Sequence, residues 1–248
     1  MGVLKKLIFR MKKNVVKYMT LSTTSVSATW SPNQIINTGA ALTWDVTGDI
    51  APTSQNVNDP TFDLSANTGT VNMNVYDVGG LTALDVNSSN ITTVDVTQCV
   101  NLESLDFRTN NVSSIDLTKN INLTYFRANT NQLTTLDLSK NTLLEYLYVV
   151  DNLFTTINVT ININLIVLSI TFNQLTGVDL SNNTSLLHVY LNQNLFTPSG
   201  TDQVYIDLDN NGLSGGSIDI KNNRTTASDT ARANLITKGW TITDTYTA

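Results

Sequence analysis

Leucine recurs every 21 residues in this 248-residue chain, and this period limits the possible folds more than any other feature. The six copies place it at Leu81, Leu102, Leu123, Leu144, Leu165 and Leu186. Two further apolar columns follow three and five positions later, so each copy predicts a short strand with one apolar face. Because a single copy cannot bury that face alone, we expect the copies to stack on one another.

An asparagine column follows the predicted strands. The first copy has Ser89 at this place, and the next five have Asn110, Asn131, Asn152, Asn173 and Asn194. An amide side chain offers two donors and one acceptor, so it can bond backbone groups of its own copy and of the neighbouring copy in a buried bend. We therefore predict a structural asparagine ladder in which Ser89 bonds less well.

The second half of each copy contains another alternating segment, which predicts a second extended edge rather than a helix. Its outward column has an acidic residue in four of five copies, at Asp95, Asp116, Asp137 and Asp179, and Asn158 in the remaining copy. A Ser or Thr follows two positions later in each copy. We expect the hydroxyl groups to satisfy these carboxylates, since hydrogen-bonded carboxylates need no metal. The alternative is a row that collects calcium.

Together the columns form the pattern L-x-x-L-x-L-x-x-N-x-L, and in this pattern the chain resembles the leucine-rich-repeat family. The resemblance is to its short-repeat bacterial surface members of the internalin type, and it covers residues 81 to about 220. It implies a β-rich, right-handed solenoid, conventionally classed as α/β, whose strands line one face. We expect a small β cap before the solenoid and a short helical cap after it.

The sequence predicts four segments. Residues 1–19 form a basic amphipathic anchor helix, 20–80 a β-rich cap, 81–220 the solenoid of six regular repeats and one irregular repeat, and 221–248 a helix-strand cap.

Within the N-terminal cap, alternation predicts strands at 41–46, 61–64 and 71–76. Met73 and Val75 fall in register with Val94 and Val96 of the first copy.

The repeat becomes irregular towards the C-terminus. Residues 203–220 restore the pattern after an insertion, and Pro198 to Gly200 is expected to be a bulged loop. The restored pattern uses Ile206, Leu208, Asn211, Leu213, Ile218 and Ile220. Residues 227–238 predict a short helix that begins at Ser228 or Asp229 and ends at Gly239.

Residues 3–19 show helical spacing of apolar side chains, with cations between them. Six of the 14 basic residues lie in the first 17 positions, where no acidic residue occurs. We expect this helix to be retained and to dock into a protein partner of a larger assembly. Its docking face consists of Leu4, Leu7, Ile8, Met11 and Val15. The alternative is a secretory signal, although lysines interrupt any apolar core of such a signal.

Composition excludes several classes of function. One cysteine, Cys99, and one histidine cannot provide an internal disulfide or a zinc site of the usual ligands. The chain after residue 17 has 20 acidic residues against eight basic ones, so the solenoid should not bind nucleic acid. No apolar run reaches the length of a membrane-spanning helix. Cys99 is expected to be an inert turn residue.

The outward positions of the first strand are where a solenoid of this kind would bind a partner. Aromatic and cationic side chains, which are enriched in recognition surfaces, collect there. The candidate residues are Arg108, Tyr125, Arg127, Tyr146, Tyr148, His188 and Tyr190. The alternative is that tyrosine is simply a favourable residue on an exposed sheet.

One short stretch matches half of a calcium loop. Asp207, Asp209 and Asn211 fit its first three ligand positions, but Ile218 stands where a bidentate Glu belongs. We expect the match to be accidental. We found no phosphate loop, nucleophile elbow or histidine metal motif, so we predict neither catalysis nor a cofactor.

These features predict a non-enzymatic recognition or structural module. The first expectation is a surface-exposed bacteriophage virion component, such as a capsid, fibre or tail accessory, that is docked by its N-terminus and binds a glycan or protein of the host surface. The alternative is a secreted or cell-surface bacterial adhesin of the internalin type.

Overall fold

The computed structural model describes residues 80–221 and 223–244, and the backbone alone of five strands nearer the N-terminus. Those five are β1 (Tyr18–Thr23), β2 (Gln34–Asn37), β3 (Thr43–Gly48), β4 (Thr53–Asn56) and β5 (Val71–Tyr76). The predicted strands at 41–46 and 71–76 correspond to β3 and β5. The predicted strand at 61–64 and the docking residues Leu4, Leu7, Ile8, Met11 and Val15 lie outside the described residues.

The 21-residue unit contributes one short strand per coil to a parallel sheet, which confirms the predicted solenoid. The eight parallel strands are β6 (Leu81–Asp85), β8 (Ser104–Asp106), β9 (Tyr125–Arg127), β10 (Tyr146–Tyr148), β11 (Val167–Ser169), β12 (His188–Tyr190), β13 (Ser217–Asp219) and β14 (Thr241–Thr243). Neighbours pair without slippage, so that Leu84, Leu105 and Phe126 lie side by side. Strand β2 pairs antiparallel with β6 at one edge.

The apolar columns build one continuous core. The six leucines of the first column are fully buried, and the rings of Phe107 and Phe126 from adjacent coils meet edge to face with centroids 5.6 Å apart. The second edge of the first coil is a strand, β7 (Ile91–Asp95). In the next four coils this edge has neither strand nor helix, and it still places Val112, Leu133 and Leu175 in the core.

The asparagines of the first column bridge adjacent coils. Asn131 Oδ1 accepts from Val112 N of the preceding coil at 3.0 Å. Its Nδ2 donates to Phe107 O at 3.1 Å and to Ala128 O of its own coil at 3.2 Å. Asn110, Asn152, Asn173 and Asn194 repeat these bonds, so one side chain satisfies several buried backbone groups in each coil.

The residue before each member of this column has a left-handed backbone. Ser88, Thr109, Thr130, Asp151, Phe172 and Gln193 have φ between 53° and 57°. This conformation costs roughly 1–2 kcal/mol per residue with a Cβ. The multiple bonds of the following Ser or Asn position offset that cost and fix the turn.

A second asparagine ladder lies at the other bend, in the column where the first repeat has Cys99 and the later repeats have asparagine. Its members are Asn120, Asn141, Asn162 and Asn183, all fully buried. Asn141 Nδ2, for example, donates to Leu117 O at 3.1 Å and to Asn120 O at 2.9 Å. Cys99 is the buried first member of the column, and its carbonyl accepts from Asn120 Nδ2.

The N-terminal strands differ from two expectations. Tyr18 and Met19 belong to β1, so the predicted helix over residues 3–19 is wrong at its end, because these two residues pair antiparallel with Tyr76 and Val75 of β5. The strand order β4-β3-β5-β1-β7 also places β1 between β5 and β7. The register of Met73 with Val94 predicts that β5 stacks directly on the first coil. Instead, Leu21 of β1 pairs with Met73 on one side and with Val94 on the other, so β1 separates β5 from that coil.

The expected loop at Pro198 to Gly200 is instead the start of a helix, α1 (Pro198–Asn210). Thr197 Oγ1 accepts from Gly200 N at 3.0 Å, and a proline at the first helical position needs no hydrogen-bond partner for its nitrogen. The irregular repeat is therefore helical over 203–210, and it returns to the sheet only at β13. Asn211 continues the second asparagine ladder by donating to Leu180 O at 2.9 Å.

The last helix, α2 (Asp229–Thr237), lies within the range predicted for it and is followed by Gly239 with φ of +83°. The hydroxyl of Ser228, at the N-cap position, donates to Asp202 of α1 at 2.6 Å. Lys238 Nζ lies 2.6 Å from Asp209 Oδ1, and these contacts fix the two helices together. Neither helix in the described part of the chain is long and apolar enough to cross a membrane.

Candidate binding surface on the parallel sheet

Three tyrosines form a connected aromatic cluster on the outward face of β9 and β10. Register places Tyr125 beside Tyr146 and Arg127 beside Tyr148. The ring centroids of Tyr125 and Tyr146 lie 6.0 Å apart, and those of Tyr125 and Tyr148 lie 5.7 Å apart. The Arg127 guanidinium carbon is 5.6 Å from the Tyr148 ring centroid, within the range of a cation–π contact. The rings are half-buried, so part of each remains accessible to a partner.

A carboxylate links this cluster to the arginines. Asp106 is only 8% exposed, although it lies on the outward face of β8. Its Oδ1 accepts from Arg108 N at 3.1 Å. Its Oδ2 lies 3.6 Å from Arg108 Nη1 and 4.0 Å from Arg127 Nη1. Both distances are longer than a hydrogen bond, so these contacts are ion pairs without a direct hydrogen bond.

Two groups of the surface have perturbed acidities. Burial raises the pKa of Asp106, and the neighbouring charge of Asp85 adds to the rise, while the backbone N–H and charge of Arg108 and the charge of Arg127 oppose it. Burial likewise raises the pKa of the Tyr148 phenol, and the neighbouring Tyr125 adds to the rise while the charge of Arg127 opposes it.

The structure divides the seven predicted binding residues into two groups. Arg108, Tyr125, Arg127, Tyr146 and Tyr148 lie together on β9, β10 and the end of β8. His188 and Tyr190 lie on β12, and the buried Val167 and Ser169 of β11 separate them from Tyr146 and Tyr148. His188 Nδ1 is 2.9 Å from Ser217 Oγ, so that ring is oriented by the next strand.

Sequence reasoning missed the polar residues next to the aromatic cluster. Asp85 and Asp106 pair in register on β6 and β8, and Ser104 lies beside Tyr125. The sequence contains a signal for this site. In the row formed by Ala83, Ser104 and Tyr125, two small outward side chains stand next to a large one, and this difference in size leaves a cavity above the sheet.

The three calcium candidates do not converge on one point. Asp207 Oδ2 accepts from Leu180 N at 3.0 Å, whereas the Asp209 carboxylate bonds Asn234 and Lys238. Asn211 donates to a solenoid carbonyl, as described above. The matching stretch is the end of α1 rather than a loop. Within residues 80–221 and 223–244, no group of three or more His, Cys, Asp or Glu side chains could hold a metal ion.

The acidic column on the opposite edge is satisfied by hydroxyl groups, as the sequence predicts. Asp116 Oδ1 accepts from Thr118 N at 2.8 Å and from Thr118 Oγ1 at 2.7 Å. Asn158 accepts the same two bonds from Thr160. Hydrogen bonds of this kind lower the pKa values of Asp116, Asp137 and Asp179 below 3.8.

This column should make the protein sensitive to acid. Because the pKa values are lower in the folded state, the stabilisation is present above the unfolded value and is lost as pH falls through the folded values. Asn158 shows that asparagine fits the same geometry. We expect the triple variant Asp116→Asn, Asp137→Asn, Asp179→Asn to lose less stability than the parent between pH 5 and pH 3, measured as the shift in Tm. An identical shift in both proteins would contradict this role.

Comparison with known proteins supports the same fold. No family model matches this sequence, and neither does any curated protein. Among solved structures, the functional domain of InlJ from Listeria monocytogenes, which includes a cysteine ladder, aligns with a TM-score of 0.53 and 29% identity over 60% of this chain. The chain has the leucine-rich-repeat fold and is similar to the internalins.

Two other Listeria structures are similar to this leucine-rich-repeat chain. InlF has 22% identity and a TM-score of 0.46 over 62% of this chain, and InlC2 has 21% identity and a TM-score of 0.43 over 68% of it. The alignments cover 32% of the InlJ structure, 50% of InlF and 83% of InlC2. The leucine-rich-repeat protein thus spans about a third of InlJ and half of InlF.

Proposed function

We propose that this leucine-rich-repeat protein is a non-enzymatic recognition module and that it binds its ligand on the outward face of the parallel sheet. The observation that carries the proposal is the connected cluster of Tyr125, Tyr146, Tyr148 and Arg127. Tyrosine and arginine dominate the energetics of protein recognition sites because they combine a large contact area with directed polar groups. The half-buried rings are already held by one another, so binding requires little ordering of side chains.

The similarity to InlJ favours a bacterial cell-surface or secreted setting for this module. The bacteriophage virion setting rests on the sequence alone and stays a prediction. Both settings place the sheet where a ligand outside the cell can reach it.

A binding survey with the full chain tests the proposal. Fluorescently labelled protein is titrated onto bacterial and mammalian cells, and the unlabelled chain competes for the same sites. We expect saturable binding that survives at 0.5 M salt, because the cluster is mainly aromatic and ionic attractions are screened at high salt. Binding that fails to saturate on every surface would contradict a recognition function.

The attachment role of the N-terminal segment also stays a prediction, and the structure refines its test. Deletion of residues 1–19 would remove the first two residues of β1, Tyr18 and Met19, which pair with β5. Deletion of residues 1–17 leaves that strand complete. We expect the shorter deletion to retain the melting temperature of the parent within about 2 °C and to lose co-assembly with its partner, as measured by co-purification from the native source. A truncated chain that unfolds or aggregates would instead make the segment part of the fold.

A further inference from the structure

A cavity of about 260 Å³ opens on the outward face of the sheet beside the aromatic cluster. Its floor and walls are Ala83, Leu84, Asp85, Ser104, Asp106 and Tyr125. It exists because Ala83 and Ser104 are small, whereas Tyr125 rises from the next strand of the same row. Pockets for drug-sized ligands measure about 300–1,000 Å³, so this cavity has room for about one ring.

The polar groups of the cavity are positioned but incompletely bonded. Asp85 Oδ1 accepts from Asn87 N at 3.0 Å and from Asn87 Nδ2 at 2.6 Å, which orients that carboxylate. The Asp106 side chain is 11% exposed; its Oδ1 accepts from Arg108 N, and its Oδ2 has ion-pair partners at 3.6 Å and 4.0 Å but no hydrogen-bond donor among the described residues. Arg127 Nε is buried and lacks a hydrogen-bond partner there as well. The Asp106 carboxylate in the cavity lining therefore has ion-pair partners on Oδ2 but can still accept a hydrogen bond from a ligand or water.

Charge balance identifies the class of ligand. Asp85 and Asp106 contribute two negative charges to the cavity lining, and next to the lining Arg108 and Arg127 contribute two positive charges at 3.6 Å and 4.0 Å from Asp106 Oδ2. A cation would approach two guanidinium groups, and an anion would approach two carboxylates. The site therefore favours a neutral ligand that can both donate to carboxylates and accept from guanidinium groups. Hydroxyl groups do both.

The aromatic wall provides the apolar half of the same recognition. The ring of Tyr125 borders the cavity, and Tyr146 and Tyr148 support it at centroid distances of 6.0 Å and 5.7 Å. A ring fixed in this way offers a flat surface for the C–H groups of a sugar. We propose that this cavity binds one neutral sugar residue of a surface glycan, with Asp85 and Asp106 accepting from its hydroxyl groups and Tyr125 stacking on it. This assignment rests on the proposed recognition function of the outward face.

The test is a glycan array carrying neutral, sulfated and sialylated sugars, probed with the full chain. Ser104→Leu fills the cavity from an outward position, and Asp106→Asn keeps the shape of the side chain while removing its charge. Asp116→Asn, on the opposite edge, is the matched control, and thermal melts establish that each variant folds. We expect the parent to bind neutral glycans, both cavity variants to lose at least tenfold in affinity, and the control to match the parent.

Three results would overturn the sugar assignment. The parent could bind only charged glycans, or a folded Ser104→Leu chain could bind neutral glycans as the parent does. The third is undiminished binding to cells stripped of glycans by glycosidase treatment, which would identify a protein ligand. That result would leave the proposed recognition function open to its own test. The effect of replacing Tyr146 and Tyr148 is measured by cell binding, independently of the glycan array.

Discussion

Replacing Asn131 by alanine is expected to lower the free energy of unfolding by about 1 to 3 kcal/mol. The side chain bonds Val112 N, Phe107 O and Ala128 O, and all three backbone groups belong to the buried bend of two adjacent coils. Alanine leaves the buried Val112 N without a partner, whereas Phe107 O keeps the bond from Asn110 Nδ2 and Ala128 O keeps the bond from Asn152 Nδ2. Urea unfolding followed by circular dichroism measures the loss.

Two matched variants make this result specific to the ladder. Ser89→Ala changes the same column in the first coil, where the hydroxyl donates to Asn87 O, and it should cost about 1 kcal/mol or less. Asn131→Asp keeps the acceptor for Val112 N but removes the donors, so its cost should be substantial as well. Equal and negligible shifts for Asn131→Ala and Ser89→Ala would show that the ladder does not stabilise the solenoid.

The double variant Tyr146→Ser, Tyr148→Ser should weaken ligand binding at least thirtyfold. Aromatic anchors that a partner buries are each worth about 2 kcal/mol or more, and 2 kcal/mol corresponds to about thirtyfold in affinity. The two side chains lie on the outward face of β10, so their loss removes most of the cluster while the core residue Leu147 stays in place. The measurement is the titration of labelled protein onto cells, after a thermal melt that shows an unchanged fold.

The control for this variant lies on the opposite edge of the solenoid. Asp116→Ser with Asp137→Ser removes two exposed carboxylates that bond only locally, to Thr118 and Ser139. We expect its binding to equal that of the parent. If the tyrosine variant also binds as the parent does, the outward face of β10 is a solvated surface and recognition takes place elsewhere.

The sequence was sufficient to predict the solenoid because its information is local and repeated. Leu84, Leu105 and Phe126 occupy one column, and a column of apolar residues at a fixed period has only one way to be buried in a stack. Strand β1 could not be placed in this way. It lies between β5 and β7, and that position depends on pairing between segments remote from one another in sequence.

Helix α1 was missed for a different reason. The pair Thr197 and Pro198 is a helix-start signal, but Leu208 and Asn211 also fit the repeat pattern, and the repeat interpretation was preferred. At the candidate site, outward positions could be read from the period alone, so Tyr125, Tyr146 and Tyr148 were identified. The burial of Asp106 and its distances to the arginines depend on side-chain conformations that the period does not determine.

The two asparagine ladders have a consequence for how such a protein can evolve. Each regular unit donates and accepts the same asparagine hydrogen bonds with the unit before it and repeats them with the unit after it. Tandem duplication of 21 residues within the gene therefore preserves every contact type and lengthens the sheet by about 4.8 Å, one strand spacing. An insertion of another length shifts the columns after it out of phase with the columns before it. The region of α1 is the exception, because the paired residues Val189 and Ile218 are already 29 positions apart instead of 21. The width of the recognition face is thus a heritable quantity that changes in whole steps.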